Sequence, residues 1–256
     1  MRPAVPPAAQ PVRRMTELVG VRLTPDDMET VNDLDGDLVT FWRVLRERPQ
    51  ELAELALLTP HARTEFLAAR DLDGAPDDME RARRVWVLLT QGRTGSLRST
   101  GWRSQRNPTG RFMSIPEELR GLIDRMLPAA ERLSGVTIEC RDALDVIADY
   151  GKHGEVLIYA DPPYLGETRS VGYRHEMADV EQHQALAAAL NACAATVVLS
   201  GYHSALYAGL YDGWHVVEMA ANSGQGNKGK AADARTEVLW SNRPLRVEDT
   251  LFGGAA

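Results

Sequence analysis

Residues 155–168 read Glu155-Val156-Leu157-Ile158-Tyr159-Ala160-Asp161-Pro162-Pro163-Tyr164-Leu165-Gly166-Glu167-Thr168. The apolar, β-rich run 155–160 predicts a buried strand, and the double proline ends it. Working outward, VTIEC (136–140) predicts a strand and Asp142 to Tyr150 a helix. Asp179 to Ala194 predicts a helix with His183, Leu186 and Leu190 on one side. ATVVLS (195–200) is a further strand, ended by Gly201. HVVEMA (215–220) and TEVLWS (236–241) read as a closing antiparallel pair joined by the Gly- and Lys-containing loop 222–234. Apolar strands alternating with helices indicate an α/β sheet, mostly parallel, with function at the carboxyl ends of its strands.

Asp161-Pro162-Pro163-Tyr164 stands at such an end. Two prolines fix two φ angles and remove two N–H groups, leaving nearby carbonyls facing outward. They also push Asp161 into an extended conformation. The Asp161 carboxylate and the Pro162 carbonyl thus form a stiff pair of acceptors, with the flat ring of Tyr164 beside them. That pair suits an exocyclic amino group. Holding both N–H bonds turns the nitrogen lone pair out of the ring plane, while the tyrosine stacks on the ring for about 1–3 kcal/mol. In duplex DNA such a group is reachable only on a flipped base. The bland alternative is a proline turn that ends a strand beside an incidental tyrosine.

Upstream, Met28 to Val31 is a short strand-like stretch, Asn32-Asp33-Leu34-Asp35-Gly36 an acidic turn, and Leu38, Phe41, Trp42 and Leu45 a helical face that Pro49 closes. From about 50 to 135 the pattern is helical. Leu52, Leu55, Ala56 and Leu58 form one apolar face. Val85, Trp86, Leu88 and Leu89 point inward from a helix over Glu80 to Thr90. One helix from Ile115 carries Leu119, Leu122, Ile123, Met126 and Leu127 inward. Between the last two lies a long polar loop rich in Gly, Ser, Thr and Arg, of a length usually tied to function or disorder.

The chain has 256 residues, 44% hydrophobic and 25% charged, so it can bury a core without disulfides or metals. Its net charge is −7, yet no Asp or Glu falls between Arg81 and Pro116, where eight arginines gather. That is either the electrostatic footprint of a polyanion partner or a solvated basic face. Cys140 and Cys193 lie apart in apolar context, without metal-ligand or CxxC spacing, and are expected to be reduced core residues of a cytoplasmic protein. No apolar run reaches the roughly 18 residues of a membrane span, and MRPAVPPAAQPVRR lacks the apolar segment of a secretory signal. Residues 1–16 are expected to be disordered.

The segments VNDLDGDLVTFWRVLR, LTQGRTGSLRSTGWR, YADPPYLGETR, GYRHEM, VVLSGYHS and RTEVLW, in this order, resemble the alpha group of DNA adenine-specific methyltransferases over about Gly20 to Pro244. The resemblance implies a Rossmann-like S-adenosylmethionine-dependent methyltransferase sheet, in parts 1–42 and 136–256, with a helical target-recognition insert over 43–135. It implies methyl transfer from S-adenosyl-L-methionine to the 6-amino group of a flipped adenine in double-stranded DNA, by a monomer without a metal. Asp161, Pro162, Pro163 and Tyr164 match the catalytic motif, and its leading Asp favours adenine in DNA over glutamine in protein. Asp33 matches the carboxylate that binds the cofactor ribose; from the residues alone it is equally a helix cap. Asp142 and Asp161 complete the expected cofactor set. Arg93, Arg98, Arg103, Arg106 and Arg111 match a DNA-facing loop, and Tyr173 and His175 a segment lining the base pocket. No strong base is needed, because methylation itself acidifies the amino proton, so His175 is expected to be structural. A restriction-linked role and a DNA-marking role both remain open.

One family element has no counterpart. The strand and Gly-rich turn that open such sheets are not found before Leu18-Val19-Gly20-Val21-Arg22-Leu23. The expectations that follow are weak cofactor binding and an exposed sheet edge. A truncated or degenerate relative that binds DNA without catalysis, and an RNA amino-methyltransferase, are the competing readings.

Overall fold

The computed structural model describes residues 28–97, 100–104, 114–163, 177, 179–220 and 236–244. Its first strand, β1 (Glu29–Asn32), runs parallel to β2 (Val136–Glu139), which lies 107 residues later by register (Glu29↔Val136). Among the described residues the regular elements between them are helices: α1 (Gly36–Glu47), α2 (Pro49–Leu58), α3 (Arg63–Ala68), α4 (Asp78–Gln91), α5 (Ile115–Ile123) and α6 (Met126–Leu133). Pro49 ends one helix and opens the next, since its missing N–H costs nothing in a first turn. The six helices share one apolar core, with Leu52, Phe66, Val85 and Val87 almost fully buried.

After β2 the chain forms α7 (Ala143–Tyr150), β3 (Leu157–Ala160), α8 (Val180–Asn191), β4 (Thr196–Tyr202), α9 (Ala205–Leu210), β5 (His215–Ala220) and β6 (Thr236–Ser241). The four strands are ordered β3-β4-β6-β5. β3 and β4 are parallel, while β4–β6 and β6–β5 are antiparallel, the last pair over the residues the sequence assigned. A second core forms between this sheet and α7–α9, built on Leu190, Leu199, Val238, Tyr207 and Trp240. Packing of α7 on α8 and a hydrogen bond from β1 to α7, Thr30 Oγ1 to Tyr150 OH at 3.2 Å, tie the two halves.

Among the described residues the strands lie in two sheets, β1-β2 and β3-β4-β6-β5. The structure corrects several expectations. The helix from Ile115 is two helices. Pro128 cannot sit in a helix interior, where its ring would strike the carbonyl four residues back. The chain turns at Asp124-Arg125 and restarts at Met126, leaving Pro128 in a first turn. Leu127 is therefore exposed, one residue round from buried Met126. Leu58 is 73% exposed, because the core-facing arc of α2 is set by Leu52, Ala53 and Ala56. Cys140 is exposed just past the end of β2, and Cys193 is partly buried; both are free thiols. Residues 1–27, including the 18–23 stretch, lie outside the described residues.

Candidate active site

Asp161 follows the carboxyl end of β3, and the parallel register sets Ala160 against Leu199, so Ser200 of β4 comes alongside Asp161. Asp161 is exposed, Pro162 buried and Pro163 half-buried. Ser200 is fully buried, and its hydroxyl donates to Asp161 Oδ1 at 2.7 Å, with Ala160 O more distant at 3.5 Å. A Cβ on the next residue, Gly201, would come within 3.1 Å of both Trp240 and Tyr207, so a larger residue there would require these rings to shift.

A hydrogen-bond chain runs from Met177 through His183 of α8 to Tyr207 of α9. His183 Nε2 lies 3.0 Å from the carbonyl of Met177, and His183 Nδ1 lies 3.0 Å from Tyr207 OH. A carbonyl only accepts, so Nε2 carries the proton, Nδ1 accepts, and the tyrosine hydroxyl donates. Burial is the first cause that holds His183 below its ordinary value of 6.5, opposed by the Met177 hydrogen bond. Burial also pushes the Tyr207 phenol up to about 12. The chain is thus neutral and satisfied. Sequence reasoning placed His183 on the inner face of its helix but had no signal for either partner.

At the other pair of strands the acidic turn resolves residue by residue. Asp35 caps α1, accepting from Asp37 N at 3.0 Å and Leu38 N at 3.4 Å. Asp33 is half-buried, and its Oδ1 accepts from Asp35 N at 2.8 Å in a turn closed by its own side chain. Asp37 is buried and ion-paired to Arg81 at 2.5 Å. The helix-capping role therefore falls to Asp35 rather than to Asp33. Asn32 clamps the two strand ends together, donating to Arg141 O and accepting from Arg141 N, each at 3.0 Å. Exposed Asp142 comes directly after and caps α7 through Leu144 N at 2.8 Å. Asp33 and Asp142 thus stand at the carboxyl ends of neighbouring parallel strands. Ribose hydroxyls are donors, and acceptor carboxylates at strand ends fit them.

Among the described residues, most arginines of the 81–116 stretch are paired with carboxylates that lie outside it. Arg81 meets Asp37, Arg83 meets Glu80 and Glu65, and Arg84 meets Glu80, all at 2.5–2.8 Å. Glu80 sits well below the usual carboxylate range, first because Arg83 donates to it. Arg103 forks onto Glu118 at 3.2 and 2.7 Å. An antiparallel bridge joins Gly92 to Trp102, and Arg93 and Arg103 directly follow its two partners, Arg93 inside the loop it closes and Arg103 outside it. Trp102 is stacked on His61 at 4.7 Å and lies under Arg63 at 4.9 Å. Gly92 is required there, since a Cβ would sit 2.5 Å from Leu88 O. Tyr164, Arg98, Arg106, Arg111, Tyr173 and His175 lie outside the described residues.

Among the described residues no helix is long and apolar enough to cross a membrane, and no group of three His, Cys, Asp or Glu can hold a metal ion. No curated protein sequence matches the chain. Residues 19–223 match the family of D12 class N6 adenine-specific DNA methyltransferases. A mixed α/β fold, a strand ending in Asp-Pro-Pro and this match over most of the sequence agree. The chain belongs to the D12 class N6 adenine-specific DNA methyltransferases, enzymes that transfer a methyl group from S-adenosylmethionine to the 6-amino group of adenine in DNA.

Proposed function

We propose that Asp161-Pro162-Pro163-Tyr164 is the motif that grips the adenine amino group, and that Asp33 and Asp142 hold the cofactor. The observation that carries this reading is the carboxylate of Asp161, exposed at the end of a parallel strand and aimed by a buried hydroxyl. Asp161 accepts one amino N–H and the Pro162 carbonyl the other. The nitrogen lone pair is thereby turned out of the ring plane, while Tyr164 stacks on the base. S-adenosylmethionine supplies an electrophilic methyl group when bound. Asp33 and Asp142 accept hydrogen bonds from hydroxyls of its ribose at the ends of β1 and β2. On this reading the two sheets are parts of one Rossmann-like sheet, and Asp161 also lies near the cofactor.

The helical core, over 43–135, is the DNA-recognition insert in this proposal. Arg93, Arg98, Arg103, Arg106 and Arg111 face the phosphates of double-stranded DNA, and Tyr173 lines the pocket of the flipped base. Support comes from the Gly92–Trp102 bridge, stacked on His61 through Trp102, which fixes the start of both Arg93 and Arg103. The enzyme acts as a monomer in the cytoplasm. The test is transfer of labelled methyl to unmethylated duplex DNA, with RNA as a parallel substrate. Label on adenine N6 of DNA is expected. Label on RNA alone, or DNA binding with no transfer, overturns the proposal.

A further inference from the structure

We propose that Ser200 is a positioning residue for methyl transfer, which fixes the orientation of the Asp161 carboxylate through its hydroxyl. The inference rests on the reading of Asp161 as the acceptor of the adenine amino group.

Ser200 lies in the interior of the sheet, on β4 between β3 and β6, in register with Leu239. The three residues before it are apolar and almost wholly buried, and Ser200 itself is 0% exposed. A hydroxyl at such a place is costly unless it is bonded. It has one proton to give and two acceptors in reach. The carboxylate oxygen at 2.7 Å takes it in preference to the carbonyl of Ala160 at 3.5 Å, because an ionised acceptor makes the shorter and stronger bond.

The consequence is geometric. The terminal torsion of an aspartate is broad and two-fold, so a carboxylate on an exposed residue has no fixed plane of its own. Pro162 and Pro163 stiffen the backbone carbonyls but do not reach that torsion. A hydroxyl held by the sheet does. The strand that carries it is itself pinned, since Gly201 is packed directly against Trp240 and Tyr207. The acceptor pair is thus stiffened from two sides, the carbonyl by the prolines and the carboxylate by Ser200. Misplacement of a reacting group by a fraction of an ångström is felt mainly in the chemical step.

The test measures steady-state transfer to unmethylated duplex DNA by the whole chain, alongside thermal melting, for Ser200→Ala, Ser200→Thr and Ser200→Cys. For Ser200→Ala we expect kcat to fall by between about tenfold and about 100-fold. KM for DNA should stay within about twofold, and melting should stay near that of the unaltered protein. Ser200→Thr retains the hydroxyl and should recover most of the rate; Ser200→Cys, a weak donor, should fall between the two. If the added methyl of threonine unfolds the strand, the order of the serine, cysteine and alanine forms decides. A normal kcat in Ser200→Ala, or a loss confined to KM for DNA, overturns the inference. Asp161→Ala is measured in parallel. If it is inactive while Ser200→Ala is normal, only the role of Ser200 fails. If it too turns over normally, or the unaltered chain transfers nothing, the reading of Asp161 fails and the inference with it.

Discussion

The helical half and the stranded half of this protein solve burial in different ways. Around α1–α6 an apolar core is ringed by ion pairs, with Glu80 alone engaging Arg83 and Arg84. Around β3–β6 the aliphatic core adds an aromatic cluster, in which Tyr207 meets Tyr211 and Trp240 edge-on and Tyr211 meets Trp214 edge-on and Trp240 at a tilt. Of its buried polar groups, Ser200 holds Asp161 before the stretch 164–176, His183 holds Met177 after it, and Ser241 accepts from Arg243 N at the end of β6. The lesson concerns charge. In the first half most of the described arginines serve the fold, so an arginine count overstates what is left for a polyanion. In the second half, polar groups are kept where a torsion must be fixed.

The sharpest way to break the comparison is Asp161→Ala. We expect transfer to fall by at least about 10²–10³-fold, with DNA binding nearly unchanged, since phosphate contacts carry affinity. Near-normal turnover in a methyl-transfer assay would contradict the proposed site. Next, Phe66→Ala and Trp240→Ala should each cost about 3–5 kcal/mol in chemical denaturation, as both are almost fully buried. Trp240→Ala should also depress kcat, because its ring packs against Gly201 beside Ser200, whereas Phe66→Ala should not.

Smaller is the pH response. His183 and His61 are both held below 6.5, chiefly by burial, the latter opposed by a hydrogen bond to Arg103 O. The unfolded chain takes up these protons near pH 6.5 and the folded chain only at lower pH. Stability is therefore complete above 6.5 and declines as pH falls below it. Glu80, with its pKa depressed first by Arg83, adds a second loss below 4.5. Melting temperature against pH from 8 to 4 checks this, and His183→Gln should flatten the upper step. Smallest is the contrast between two arginines. Arg93→Ala should reduce the slope of log binding constant against log salt by about one unit, and Arg103→Ala by less, because Glu118 already neutralises it. Equal slopes would remove that distinction.

Many strand positions were legible because apolar runs such as 155–160 lie between Gly154 and Pro162, and 215–220 and 236–241 lie close enough in sequence to pair. The motif at 161–164 was legible because its chemistry is carried by adjacent residues. Less legible were matters of angle: Leu58 and Leu127 are as apolar as their neighbours, and only the arc that meets the core separates them. The short helix α9 had no periodic signal to announce it. Ser200 left only a faint mark, a polar residue closing an apolar strand.

By itself the sequence determined the alternation of strands and helices, the antiparallel closing pair and the stiff acceptor motif, since each depends on local backbone chemistry or short-range periodicity. The tertiary structure alone decided which carboxylate each arginine meets, that Asp35 and not Asp33 caps α1, and that Ser200 comes to lie beside Asp161. Among the described residues the longest of those pairings joins residues 103 positions apart, Arg132 with Glu29, and Asp37 with Arg81 spans 44. Only the packing of whole elements brings such residues together, and no local pattern encodes it.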